Sequence, residues 1–72
     1  MYNGYVLDSK TGEILFQAQY KPYHIVCEDI ASYVDPYHLS GDEFQYLLET
    51  GMLEKEGRVY QAFLVQSSSS VI

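Results

Sequence analysis

Seventy-two residues with a formal charge of −6, from ten acidic and four basic side chains, leave room for one domain and little to hold a polyanion. Nucleic acids and anionic membranes are bound by clustered Lys and Arg that release counterions; here Lys10, Lys21, Lys55 and Arg58 are scattered along the chain. Cys27 is the single cysteine, which excludes an internal disulfide.

At this size the ordering entropy, about 1.5 kcal/mol per residue, nearly cancels what a core can bury. Eight tyrosines and three phenylalanines supply large buried areas, and self-association is an attractive way to complete the core. The opening stretch MYNGYVLDSK has no basic run followed by an apolar one, so no signal peptide is expected. No apolar run approaches the ~20 residues of a membrane span. The expectation is a soluble, cytoplasmic chain.

The stretch YVLDSKTGEILFQAQY reads as a β-hairpin, with strands at 5–7 and 14–20 around a turn at 8–12. Asp8 can bond backbone two residues on, and Gly12 accepts a positive φ. The turn resembles the D-x-x-T-G hairpins of propeller blades; as a single copy it implies a hairpin only. Ile14, Phe16, Ala18 and Tyr20 fall on one strand face, and Leu15, Gln17, Gln19 and Lys21 on the other. After Pro22 the period changes. Tyr23, Cys27, Ile30 and Val34 form a stripe with Val26 and Tyr33 at its edges, which predicts a helix of about three turns. The Asp35-Pro36 pair closes it.

A second helix is marked at both ends. Ser40 and Glu43 form a capping box, Leu39 and Phe44 a hydrophobic staple. Asp42 and Glu43 suit the positive end of the helix dipole. Phe44, Leu47 and Leu48 give the buried stripe, and Gly51 is the expected left-handed cap, with Met52 set to touch Leu47 as in a Schellman end. Next come a short strand at 52–53, a turn with Gly57 in the left-handed region, and a long strand at 58–66. Residues 67–72 are a Ser-rich tail expected to lack order.

The last strand is apolar on both faces: Tyr60, Ala62 and Leu64 on one, Val59, Phe63 and Val65 on the other. Such a strand belongs inside a sheet covered on both sides. Two helices cover only one side. The fold expected for 1–66 is therefore α+β, a three- to four-stranded antiparallel sheet in the order ββααβ(β) with both helices on one face. The uncovered face should form an interface, most simply a homodimer's, through Leu15, Gln17, Gln19, Gln61 and Phe63.

Four chemistries compete for the rest. Two helices and a hairpin sketch a winged-helix DNA reader. Its second helix would offer the groove Asp42, Glu43, Gln45, Tyr46 and Glu49, where base-edge readers use Arg, Lys, Asn and Gln. His24, Cys27 and His38, with Glu28 or Asp35, make half a metal site without the paired spacings of structural zinc. Cys27 lies on an apolar stripe, where burial blunts a thiol nucleophile. No catalytic motif is visible, so neither metal, cofactor nor catalysis is expected.

The remaining reading is a non-catalytic acidic interaction module. Tyr33, Tyr37, Asp42, Glu43, Tyr46 and Glu49 would form its contact face, since tyrosines among carboxylates suit a basic partner protein. In composition this is similar to small viral or mobile-element inhibitors that imitate phosphates in front of nucleic-acid enzymes. The alternatives are a winged-helix DNA-binding regulator and a structural subunit of a larger assembly.

Overall fold

The computed structural model describes residues 1–65. Four strands and two helices follow one another as β1 (Tyr2–Asp8), β2 (Ile14–Lys21), α1 (Tyr23–Ala31), α2 (Gly41–Thr50), β3 (Met52–Lys55) and β4 (Arg58–Leu64). The strands form one antiparallel sheet in the order β2-β1-β4-β3, and both helices lie on one side of it. This is the expected α+β architecture, with four strands.

Local chemistry explains the turns. Asp8 Oδ1 accepts from the N–H groups of Lys10 (2.8 Å) and Thr11 (3.1 Å), which folds the first loop back until Gly12, at φ +76, donates to the Asp8 carbonyl. The β3–β4 turn places Glu56 and Gly57 at φ +53 and +79, the tight two-residue form whose twist suits a hairpin. Ser9 N–H donates to Gly57 O at 2.9 Å, which ties the two turns together.

The core is set by one row of small residues. Gly4 pairs with Ala18 of β2 on one side and with Ala62 of β4 on the other, a shallow trough across three strands. α1 sits in it. A Cβ on Gly4 would lie 2.4 Å from Val26 Cγ1 and 3.0 Å from Ile30 Cγ2. The adjacent row carries the bulk: Phe16, Val6, Tyr60 and Leu53 face one another in turn across the four strands. Val6, Val26, Cys27, Ile30, Leu47 and Tyr60 are fully buried.

The second helix forms as its ends dictate. Ser40 Oγ accepts from Glu43 N and Glu43 Oε1 accepts from Ser40 N, a complete capping box. At the other end Gly51, at φ +78, donates to Leu47 O at 2.8 Å. This is the simpler left-handed cap, not the Schellman form expected, and Met52 is half exposed. The Tyr23 hydroxyl, from the start of α1, donates to the carbonyls of Leu48 (2.7 Å) and Leu47 (3.2 Å) and so closes the end of α2. Burial is the main reason that the Tyr23 hydroxyl is pushed up to about 12 from its ordinary 10.0.

Several expectations need correction. α1 stops at Ala31, shorter than three turns, where Ser32 N–H reaches Glu28 O; Val34 is exposed. β3 runs to Lys55, beyond the two residues expected. Leu15 packs against the buried cluster and not on the open face. The physical cause is an irregularity in β2: Val6 pairs with Phe16 but Leu7 with Ile14, so Leu15 is an extra residue and Ile14 takes the outer face. A second irregularity at Tyr20, φ +57, lets its N–H bond Asn3 Oδ1 at 2.8 Å. β4 ends at Leu64, and the tail at 67–72 lies outside the described residues.

Gly4→Ala should cost about 2 kcal/mol or more in urea unfolding, because helix and strand must part. Gly41→Ala, with open space at its Cβ, should be neutral or slightly stabilising. Equal effects would mean that α1 is not seated in the trough. Tyr23→Phe should lose about 1–2 kcal/mol at neutral pH. A raised folded-state pKa gives stability that is intact below the unfolded value of 10.0 and lost as pH rises towards 12. The variant's alkaline loss should therefore be shallower, with Tyr60 and Cys27, also pushed up by burial, supplying the remainder.

Candidate functional site

Strand alternation puts Asn3, Tyr5 and Leu7 of β1 on the side away from the helices, together with Val59, Gln61 and Phe63 of β4. Pairing extends the rows outward. Leu7 lies between Ile14 and Val59, and Val59 beside Glu54; Tyr5 lies between Gln17 and Gln61, and Gln61 beside Met52. The Tyr5 and Phe63 rings meet at 5.3 Å. The uncovered face is thus apolar and aromatic, divided by amides. Glu54 is its one charged side chain among these paired positions.

Of the residues expected at an interface, Gln17, Gln61 and Phe63 stand on this face. Gln19 lies at the irregular end of β2, where its amide donates to Gln17 Oε1 at 2.9 Å. Sequence reasoning missed Tyr5, Leu7 and Ile14. The alternation of Asn3, Tyr5 and Leu7 against Gly4 and Val6 carried the signal for two of them. Ile14 had none, since the bulge that turns it outward leaves no mark in the spacing.

The six residues expected on an acidic contact face do not form one surface. Tyr33 packs on Phe16 of β2, ring centroids 5.8 Å apart. Tyr46 lines a groove of about 310 Å³ with Thr50, Met52, Leu53, Glu54 and Val59 at the β3 edge. β2 and β3 are opposite edges of the sheet, with two strands between them. Tyr37 projects from the helix–helix loop, 91% exposed. Only Asp42, Tyr46 and Glu49 share an outward stripe of α2.

Several carboxylates have internal work. Glu43 holds the capping box and also takes Lys55 Nζ at 2.8 Å, while the same ammonium donates to His38 O at 2.8 Å. Lys21 pairs with Asp29 at 2.6 Å, and His24 Nδ1 approaches Glu28 Oε2 at 3.0 Å. Asp35 Oδ1 accepts from Tyr37 N. Lys21 and Lys55 are engaged internally and the outward stripe of α2 is acidic, an arrangement that gives phosphates little to bind along that helix.

Among the described residues, two buried side-chain polar atoms lack hydrogen-bond partners: the Tyr60 hydroxyl and His38 Nε2. Glu56 Oε2 is 3.7 Å from the latter, an ion-pair distance too long for a hydrogen bond. Among the described residues no group of three or more His, Cys, Asp and Glu converges as metal ligands. Cys27 is fully buried, which pushes its thiol up from 9.0; it packs as a core residue. No helix of the described residues is long and apolar enough to cross a membrane.

Comparison with protein-family models, curated proteins and solved structures found no match. The surfaces themselves are therefore the basis for a functional reading.

Acid titration tests the internal role of the carboxylates. The Lys55 ammonium holds Glu43 below its ordinary 4.5, and the Thr11 and Lys10 N–H groups hold Asp8 below 3.8. Lowered folded-state values give stability that is complete above those figures and lost as pH falls through the folded ones. Urea midpoints taken from about pH 6 to about pH 2 should fall. Glu43→Gln should be less stable at neutral pH and less sensitive to acid. An unchanged acid profile in that variant would mean that Glu43 is free for a partner after all.

Proposed function

We propose that this chain is a non-catalytic protein-interaction domain that acts by placing its uncovered sheet face against another protein surface, with a second copy the simplest partner. One observation carries the reading: Tyr5, Leu7, Ile14, Val59, Phe63 and Met52 share a face on which the intervening residues are amides and a single carboxylate. Contiguous apolar surface rimmed by polar groups marks an interaction site on small domains. Burying aromatic side chains there supplies more free energy than polar rim contacts do.

Self-association also fits the charge. Two copies each carrying −6 repel through most of their surfaces, and this face is where they meet with the fewest carboxylates opposed. A second reading has narrower support. Asp42, Tyr46 and Glu49 on α2 suit a basic protein, including one that handles nucleic acid, and such a contact would weaken steeply as salt rises.

Sedimentation equilibrium of the purified chain should show a reversible dimer at about 10–100 μM. Phe63→Glu and Leu7→Glu should each leave a folded monomer, since both side chains point away from the core. Asp42→Asn with Glu49→Gln should leave the dimer intact. Association that survives both face substitutions would sink the sheet-face reading.

A further inference from the structure

Asn3 is the only asparagine of the chain, and Gly4 follows it. We infer that this pair is a site of spontaneous covalent modification, closed while β1 is held in the sheet and opened when the strand detaches. The inference stands apart from the sheet-face reading and does not depend on it.

Packing brings the pair about. The seat of α1 demands glycine at position 4, where a Cβ would meet Val26 Cγ1 at 2.4 Å. Asparagine is among the thermally labile residues, and a following glycine leaves the backbone nitrogen unshielded by a side chain. That nitrogen can attack Asn3 Cγ. The new N–C bond closes a five-membered imide, the Cγ–Nδ2 bond breaks, and the Gly4 amide proton departs with the released nitrogen as ammonia. Water then opens the imide. Addition at the side-chain carbonyl gives aspartate; addition at the main-chain carbonyl gives isoaspartate, whose backbone runs through Cβ.

The folded chain blocks the first step. β1 is an inner strand, and Gly4 is buried between Ala18 and Ala62. Ala62 N–H turns away to Gly51 O at 2.8 Å, so the ladder bonds of Gly4 run to Ala18 and engage its N–H. The Asn3 amide is held as well, its Oδ1 accepting from Tyr20 N–H at 2.8 Å. Imide closure turns the Asn3 ψ out of the extended range and breaks these bonds together. Core strands of this kind open only with much of the domain.

The two products then part ways. Aspartate keeps an oxygen for Tyr20 N–H. Isoaspartate adds one main-chain carbon ahead of Gly4, so the pairings Asn3↔Phe63 and Gly4↔Ala62 cannot both be kept, and Gly4 no longer lies beneath Val26. Each opening thus exposes the chain to a one-way step out of the folding pool.

The test incubates the full chain in mildly alkaline buffer, with and without denaturing urea, and follows residue 3 by peptide mass mapping. Aspartate and isoaspartate should accumulate at least about tenfold faster in urea. In buffer, Tyr23→Phe should be modified about five- to thirtyfold faster than the natural chain, in step with its lower stability. Asn3→Gln should abolish the reaction at this position. After removal of urea, Asn3→Asp should give a native amide spectrum and the isolated isoaspartyl chain should not. Equal rates with and without urea, an unchanged rate in Tyr23→Phe, or native refolding of the isoaspartyl chain would overturn the inference.

Discussion

The close seat of α1 on the sheet is the constraint on which this small protein depends. Ala18, Gly4 and Ala62 lie side by side on three neighbouring strands, and only their lack of bulk allows Val26 and Ile30 to reach the β1 backbone. A helix held at that depth brings Cys27 and Ile30 into one buried cluster with Val6 and Tyr60 of the large row beside the trough. A chain of this length has few apolar residues to bury, and close approach gains dispersion contacts that added side-chain volume would forfeit. The register of β1 between β2 and β4 follows from the same need, because a slip of one residue would set Tyr5 or Asn3 under the helix.

Once α1 is seated, polar bonds fix α2 relative to it. The Tyr23 hydroxyl bridges the start of one helix to the last carbonyls of the other, and Ala62 N–H bonds Gly51 O just beyond them. At the opposite end Lys55 joins β3 to Glu43 and to the His38 carbonyl. Both ends of α2 are therefore fastened to other elements, and groups that look like surface charge in the sequence belong to the frame. Tyr60 shows the reverse case. Its ring fills the centre of the core while its hydroxyl, without a bonded partner, is a cost that the burial of the ring offsets.

Much of the fold was legible because it rests on short-range rules. Ser40, Glu43 and Gly51 specify α2 by bonds made within one turn, and Asp8, Gly12 and Gly57 specify the two hairpins in the same way. The candidate surfaces were less legible because they depend on pairings distant in sequence. Nothing local shows that Glu43 meets Lys55, that Tyr33 and Tyr46 stand at opposite edges, or that Leu15 is a bulge residue facing inward. The trough could not be read either: Gly4, Ala18 and Ala62 are unremarkable until the strand order β2-β1-β4-β3 aligns them.

The edges of the sheet bear on what kind of assembly the molecule can build. On β3, Lys55 and Leu53 bond to β4, so the backbone of Met52 and Glu54 faces outward. Thr50 covers the first of these, with its hydroxyl set against both Met52 N and Met52 O. On β2 the irregularities at Leu15 and Tyr20 break the straight run of donors and acceptors that another strand would need. A sheet blunted at both edges resists the strand-by-strand extension that carries exposed edges into fibres.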